Sequence, residues 1–436
     1  MNQSKALFFV AGAALSMGSA FAQNANLDLN RAYKAELEAD AKTRTSLLAA
    51  GGAGYNNGAF QISDGSNNTL NIGGSFATRY NISIRNEGEQ GKVNDFTSGF
   101  NIPYARLRTW GTVWSKDFDY MLQGTWSDTS SIGSSSGGNG SFQLEEAWGR
   151  YHVDSNWAVR FGQFKLPLTR EVLVDNEYQL AADRSVASAI FGQGYSQGVE
   201  VQYATDQFKF TVAASDGLNT ANTDFNSDAE ADYAFTGRID WLAIGTDWSR
   251  FNDFTSFQNA ADDELLIGVA GHWQGGGDTG SVGGGTTDAN VLVYTLDASY
   301  ESSGWNLFGA FYGSYVNNKA AGQDFNNFGA VVQAGYFVTE QIELFGRWDA
   351  VFIDSDLLPS GQDDNIHFAT AGVNYYLSPE SHAVKFTAQA GIAFNDTSSL
   401  FGSSAVLPVA DNTRYGYLGQ VQEDEVVVTL QAQVVF

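Results

Sequence analysis

Residues 425–436 read EVVVTLQAQVVF, and their parity decides the fold. Val426, Val428, Leu430, Ala432, Val434 and Phe436 fall on one face of an extended strand, and Val427, Thr429, Gln431, Gln433 and Val435 on the other. Strand side chains alternate with period 2, so one face here is apolar throughout and the other mostly polar or mild. A soluble sandwich strand turns such an apolar face toward a core. A membrane barrel strand turns it toward lipid. One strand does not choose between them. The start of the chain, its composition and its connections do.

The chain starts MNQSKALFFVAGAALSMGSAFAQ. Lys5, the apolar stretch 6–15 and Ala20-Phe21-Ala22 before Gln23 have the layout of a secretory signal with an A-x-A cleavage site, so residues 1–22 are expected to be one. An uncleaved anchor would need about 20 apolar residues to cross a bilayer, and this run is shorter. No later stretch is apolar for long enough to cross as a helix, so a membrane-embedded chain would cross as strands.

The 436 residues include no Cys, which excludes disulfides, thiolate metal sites and a cysteine nucleophile. The net charge of −26 argues against nucleic acid, whose phosphates need basic partners. It suits solvated loops. It does not fix selectivity for a solute, because the charges lining a lumen matter more than the total. Composition shows no break after about residue 70, which favours one large β unit over several domains.

Residues 23–50 differ from the rest. Tyr33, Leu37, Ala41, Arg44 and Leu48 recur at helical spacing with charges between them. The pattern predicts a short amphipathic helix or a small coiled coil. At under four heptads it would be marginal alone. Residues 51–69, containing GGAGYNNGAFQISDGSNN, read as a linker or irregular segment.

Strands begin at Leu70. In LNIGGSFATRYNISIR (70–85), Leu70, Ile72, Phe76, Tyr80, Ile82 and Ile84 share one face, and Asn71, Ser75, Arg79, Asn81, Ser83 and Arg85 the other. The pattern repeats. Ile342, Leu344, Trp348 and Phe352 oppose Glu343, Arg347 and Asp349, and Val384, Phe386 and Ile392 oppose Lys385, Thr387 and Gln389. Charges mid-strand on the second face suit a wet lumen.

The connections alternate in length. Long polar loops at 86–100, 129–141, 166–195 and 216–231 follow odd strands. Short turns, SKDFD, VDSN and ATDQ, follow even ones. Reading 246–254 as a strand breaks the alternation by moving loop 274–289 to the short-turn rim. Reading 244–263 as a long turn restores it. The expectation is an all-β protein, a transmembrane antiparallel β-barrel of about sixteen strands over 70–436, with a short N-terminal helical extension and both barrel ends on the short-turn side. The final strand then closes on the first, with Phe436 at the lipid interface.

Three stretches between 105 and 205 carry a resemblance: ARLRTWGTVWSKDFDYMLQGTWSD, FQLEEAWGRYHVDSNWAVRFGQFKLPLTRE and AADRSVASAIFGQGYSQGVEVQY. In order and spacing they resemble the phosphate-selective porin O and P family, most closely at RFGQFKLPLTRE, where a strand runs into a long loop. The resemblance implies a trimeric channel with an N-terminal helical extension, a loop after strand five that folds inward and narrows the pore, and a C-terminal Phe that serves assembly.

The residues of loop 166–195 agree with an inward fold. Leu166, Leu168, Val172, Leu173, Val174, Leu180, Val186, Ile190 and Phe191 are wasted on a solvated loop but suit one packed inside a barrel. An external loop packing on a neighbouring subunit is the alternative. The candidate constriction is Lys165, Arg170, Glu171, Asp175, Glu177, Asp183 and Arg184. The candidate pore wall is Arg79, Arg85, Arg106, Arg108, Glu146, Arg150 and Arg160. Wall arginines facing loop carboxylates would orient polar solutes across the pore, whereas a ring of one sign would select ions by charge. Arginines paired with wall acids such as Glu146 would be structural.

The function expected is therefore an outer-membrane porin, a multi-pass protein of the bacterial outer membrane, carrying ions and small polar solutes as a homotrimer in lipid. Loop acids match or outnumber loop bases, so weak ion selectivity without a micromolar phosphate site is expected. A phosphate- or anion-selective channel, and a structural barrel tethered to the cell wall through residues 23–50, are the alternatives. Catalysis is not expected. His152, His272, His367 and His382 sit in no nucleophile motif and no metal-ligand spacing, so neither catalytic residues, metal nor cofactor is assigned.

Overall fold

The computed structural model describes residues 52–436, apart from 57, 87–95, 127–141, 226, 228–229, 259–261, 277–287, 320–321, 402–404 and 410–413. The expected signal (1–22) and amphipathic helix (23–50) lie outside the described residues.

Sixteen strands close into a barrel: β3 (Thr69–Ile84), β4 (Phe96–Val113), β5 (Ser115–Trp126), β6 (Phe142–His152), β7 (Trp157–Lys165), β8 (Tyr195–Ala204), β9 (Phe208–Ser215), β10 (Tyr233–Ile244), β11 (Glu264–Gly275), β12 (Ala289–Ser302), β13 (Trp305–Asn318), β14 (Gln323–Phe337), β15 (Ile342–Phe352), β16 (Asn365–Tyr376), β17 (Val384–Ala393) and β18 (Glu425–Val435). Each pairs antiparallel with the next, and β18 pairs with β3 from Val426↔Ile84 to Val435↔Ser75. Phe436 completes the seam by exchanging backbone hydrogen bonds with Gly74 at 2.7 and 2.9 Å. Closure leaves no barrel edge for another chain to pair with.

The ambiguity of the last strand is settled by which face is covered. Thr429, Gln431 and Gln433 are buried inside, while Phe436 stands exposed outside. The same holds around the ring, where Phe76, Leu122, Val212, Ile239, Leu296, Val332 and Leu344 are all exposed. So large an exposed apolar surface suits lipid, not water. Aromatic pairs flank the band. Trp157–Tyr203, Phe208–Trp241 and Tyr300–Trp305 lie at the short-turn rim; Tyr80–Phe100, Trp126–Phe142 and Tyr233–Trp273 lie at the other. Such girdles mark the two membrane interfaces.

Several expected boundaries change. Residues 51–69 contain a hairpin, β1 (Gly52–Asn56) and β2 (Ala59–Ser63), whose second strand extends the sheet along β3 at residues 69–72. Five-residue strands rich in Gly and Asn are too short to show a period. Residues 96–100, expected as loop, already pair with β3, although FTSGF does not alternate. SKDFD is strand rather than turn; the reversal is at Trp114, whose φ is 66°. The long turn expected at 244–263 is present, joining β10 to β11 through a short 3-10 helix, Trp248–Asn252. Loop 319–322 is short although it lies on the long-loop rim, so the length rule is a tendency and not a law.

The lumen is filled on one side. Inward Val291, Val293, Phe308, Tyr312, Val331, Val351, Ile366 and Phe368 form one apolar core with Leu166, Leu168, Leu180, Val186 and Phe191 of loop 166–194. Leu400, Phe401, Leu407, Val409 and Tyr417 of loop 394–424 join it. Strands β12–β16 thus have apolar residues on both faces, and the water-accessible space is pushed toward β4–β11.

Candidate constriction and permeation path

Loop 166–194 leaves β7 at Lys165 and crosses the lumen before returning to β8. It contains two short helices, α1 (Arg170–Leu173) and α2 (Val186–Phe191), and a 3-10 turn, Asn176–Tyr178. Ser185 caps α2 by accepting from Ser188 N. Glu171 ties α1 to that cap, accepting from Ser185 N at 2.5 Å and Ser185 Oγ at 2.7 Å. The Val186 N–H at the start of α2 donates to Asp349 of β15 at 2.9 Å.

An irregular segment can be buried only if its backbone polar groups find partners. Wall side chains supply them in succession. Gln433 donates to Glu177 O at 2.7 Å, Lys385 to Gln179 O at 2.8 Å and Asn374 to Leu180 O at 2.8 Å. Arg79 donates to Ala182 O at 2.5 Å and Arg347 to Asp183 O at 2.7 Å. Mid-strand polar residues on β18, β17, β16, β3 and β15 therefore hold the loop across the barrel.

The ion pairs across the gap join wall to loop. Arg79 meets Asp183 at 2.8 Å. Arg106 meets Glu177 at 2.9 Å and wall Glu145 at 2.7 Å, while Arg108 bonds Glu177 and lies 3.4 Å from Asp175. Lys165 pairs with Asp175 at 2.5 Å. Burial alone would raise the pKa of Asp175, but Lys165 and Arg108 beside it hold the carboxyl well below the usual range. Burial likewise opposes ionisation of Asp183, and Arg79 and Arg414 outweigh it, so its pKa is also lowered.

Two cavities lie on either side of this barrier. One of about 280 Å³ faces the long-loop rim and reaches Lys165, Arg106, Asp183, Arg184 and Arg414. The other, of about 350 Å³, faces the short-turn rim and reaches Asp175, Arg150, Arg160, Arg170, Lys209 and Arg238. Lys165 lines one and its partner Asp175 the other, so this pair lies between them.

The remaining candidates divide. Arg150 pairs with Asp119 at 2.5 Å and Arg160 with Glu200 at 2.6 Å, both on the wall. Arg170 donates to Ser299 Oγ and to Phe251 O, each at 2.7 Å. Arg184 donates to the carbonyls of Glu171, Val172 and Val174. Arg85 lies past the end of β3, reaching Thr97 near the mouth. Glu171 and Glu177, expected to face the pore, are wholly buried and line neither cavity. Glu146 accepts from Trp148 Nε1 at 2.6 Å; the wall acid held by Arg106 is Glu145. An irregularity opposite Gln123 and Gly124 shifts the parity of β6 there, which period-2 counting misses.

Sequence reading placed the turn 244–263 but did not bring it, or loop 394–424, into the lumen. Both enter the barrel: Phe254 N donates to Tyr178 O at 3.1 Å, and Arg79 donates to Arg414 O at 2.7 Å. Their signal was the same one that exposed loop 166–194, namely buried apolar residues such as Phe251, Phe254, Leu400 and Phe401 between strands.

A family model described as phosphate-selective porin O and P matches residues 88–398. The chain belongs to that family. This porin is an outer-membrane channel for ions and small solutes. No curated protein matches it. Its fold is similar to that of the anion-selective porin of Comamonas acidovorans, with a TM-score of 0.57 at 15% identity over 85% of this chain and 100% of that one. The outer-membrane channel DcaP of Acinetobacter baumannii gives 0.53 at 15% identity over 86% and 99%. OmpF of Salmonella typhi, solved in complex with daunomycin, gives 0.51 at 13% identity over 86% and 99%. At these identities the likeness shows the fold alone.

Proposed function

We propose that this porin is an anion-preferring diffusion channel of the bacterial outer membrane, without a tight phosphate site. The observation that carries the reading is the charge along the passage. The two cavities are lined by nine bases, Arg106, Arg150, Lys165, Arg160, Arg170, Arg184, Lys209, Arg238 and Arg414. Five acids face them, Glu145, Asp175, Asp183, Glu200 and Asp240. The chain as a whole carries −26, so the passage is positive against an acidic background. In a narrow, partly desolvated passage such charges act strongly and are poorly screened by salt.

This revises the expectation of near-balance. Glu171 and Glu177 are counted in sequence but are buried out of the path. The anion selectivity of the Comamonas porin agrees with the direction. Against a tight phosphate site stands the pairing at the barrier: Arg106, Arg108 and Lys165 each already hold a carboxylate. A homotrimer, cleavage of 1–22 and both barrel ends in the periplasm complete the proposal. Cavities on both sides of the loop speak against a plugged structural barrel.

Reversal potentials in asymmetric KCl across a planar bilayer test it. A potential of the anion-preferring sign is expected, with chloride current reduced only by millimolar phosphate. A cation-preferring sign overturns the reading, and block at micromolar phosphate overturns its second half. Native mass spectrometry of the full chain showing only monomer overturns the trimer.

A further inference from the structure

The two cavities arrange their linings differently. The one at the long-loop rim mixes polar groups such as Thr125, Gln143, Asn219 and Asn222 with Leu144, Val172, Tyr195 and Tyr415. The one at the short-turn rim sets a basic wall, with Arg150, Arg160 and Lys209, against an apolar wall, with Trp248, Phe251 and Leu173. An inorganic anion uses only the first wall. An organic anion with an apolar body uses both.

The turn 245–263 supplies the apolar wall, and its key side chain is fixed in advance. Trp248 Nε1 donates to Thr205 O at 3.2 Å, Asp247 caps the 3-10 turn through Ser249 N at 2.9 Å, and the indole packs against Leu242, Phe251 and Leu266. A preset aromatic surface costs a ligand little ordering entropy. Lys209 Nζ lies 4.4 Å from the centroid of the Trp248 ring. Among the described residues Lys209 makes no ion pair, unlike Arg150, Arg160 and Arg238, which hold Asp119, Glu200 and Asp297. Asp240, its cross-strand neighbour on β10, is already held by Arg238 at 2.7 Å, which leaves the Lys209 charge available to a ligand. The cavity, about 350 Å³, lies in the range of about 300–1,000 Å³ usual for small-molecule sites.

We infer that this chamber is a binding site for aromatic carboxylates on their way through the channel. The carboxylate draws the Lys209 ammonium from the indole, and the ligand's ring takes its place against Trp248 and Phe251. The inference rests on the anion-preferring passage proposed above and adds a solute class to it.

The test uses the full-length porin in a planar bilayer carrying chloride current, with sodium benzoate or sodium acetate added to each side at matched ionic strength. Half-block by benzoate is expected at about a tenfold lower concentration than by acetate, the ratio that an aromatic contact supplies. Trp248→Ala should bring benzoate down to the level of acetate, and Lys209→Gln should weaken both. Trp248→Leu, which keeps an apolar side chain on the turn, is the second variant if Trp248→Ala does not assemble, with the same expectation. Equal block by the two anions in the unaltered protein overturns the inference, as does a benzoate preference that survives loss of the indole. A cation-preferring reversal potential brings down the proposed function itself. An anion-preferring one with equal block brings down only the aromatic site.

Discussion

Arg106 of β4 and Glu177 of the constriction loop meet at 2.9 Å, although 71 positions separate them in the chain. Arg108 bonds the other oxygen of the same carboxylate, and Ser75 Oγ reaches that oxygen at 3.2 Å. Glu177 is wholly buried, so its charge is tolerable only while paired. Glu177→Gln leaves two guanidiniums with one counter-charge fewer. The expected result is a reversal potential shifted further toward anions. The loop's attachment should weaken too, by about 3–5 kcal/mol, the usual cost of breaking a buried pair. Glu177 itself lies out of the path, so the effect acts through Arg106, which lines the long-loop cavity; an unmoved reversal potential in a folded variant would mean that the charge of Arg106 does not reach the ion path.

Removal of residues 171–190 should raise single-channel conductance. These residues lie between the two cavities and carry Asp175, the partner of Lys165 there. They also bury Val186, Ile190 and Phe191 against β13 to β15, so the deletion exposes apolar lumen wall and lowers heat stability. Conductance equal to that of the intact porin would mean that ions pass elsewhere.

The barrel was legible because its period is short and repeated. Most strands from 70 onward carry a copy of the signal over part of their length, and the turn at 244–263 could be assigned from the rim it had to occupy. The inward loop was legible because Leu166, Leu168 and Phe191 made no sense in water. The charges were read less well. Period-2 counting places Arg79, Arg106 and Arg108 on the lumen correctly, but it cannot see an irregular pairing, and so it chose Glu146 over Glu145. Nor does parity apply inside an irregular loop, where Glu171 turns inward to Ser185 while Asp175 faces the path. The contribution of 245–263 and 394–424 was lost because each reads as an ordinary connection until the lumen around it is drawn.

Acid should leave selectivity untouched over a wide range. Asp175 and Asp183 have pKa values below the ordinary 3.8, because their cationic neighbours outweigh burial. A carboxyl with a depressed folded pKa contributes stability that is complete above its unfolded value and lost as pH falls through the folded one. Both groups therefore stay ionised, and their pairs with Lys165, Arg108 and Arg79 stay made, from pH 8 to about pH 4. Reversal potentials measured across that range are expected to be flat. Asp183→Asn should shift the potential toward anions equally at pH 7 and pH 5. A titration of the intact channel centred near pH 5 that Asp175→Asn or Asp183→Asn abolishes would show that these carboxyls are not paired as described.

The closing seam makes the last prediction. Phe436 pairs with Gly74 through both backbone groups, and its ring lies beside that glycine on the outer face. A Cβ on Gly74 would come within 2.5 Å of Arg106 O and 3.0 Å of the Phe436 ring. The first contact is with backbone of the neighbouring strand, which cannot move without disturbing the β3–β4 pairing that also aims Arg106 at Glu177. Glycine is therefore required at this position for close approach, not for an unusual dihedral. Gly74→Val should lower the fraction of protein that assembles into a heat-modifiable barrel on gel electrophoresis. What does assemble should show a disturbed Arg106–Glu177 pair and a shifted reversal potential. Gly346→Val is the control, since a Cβ there meets nothing within 4 Å. Equal assembly of the two variants would mean that the seam tolerates the added methyls, and that packing at Gly74 does not limit closure.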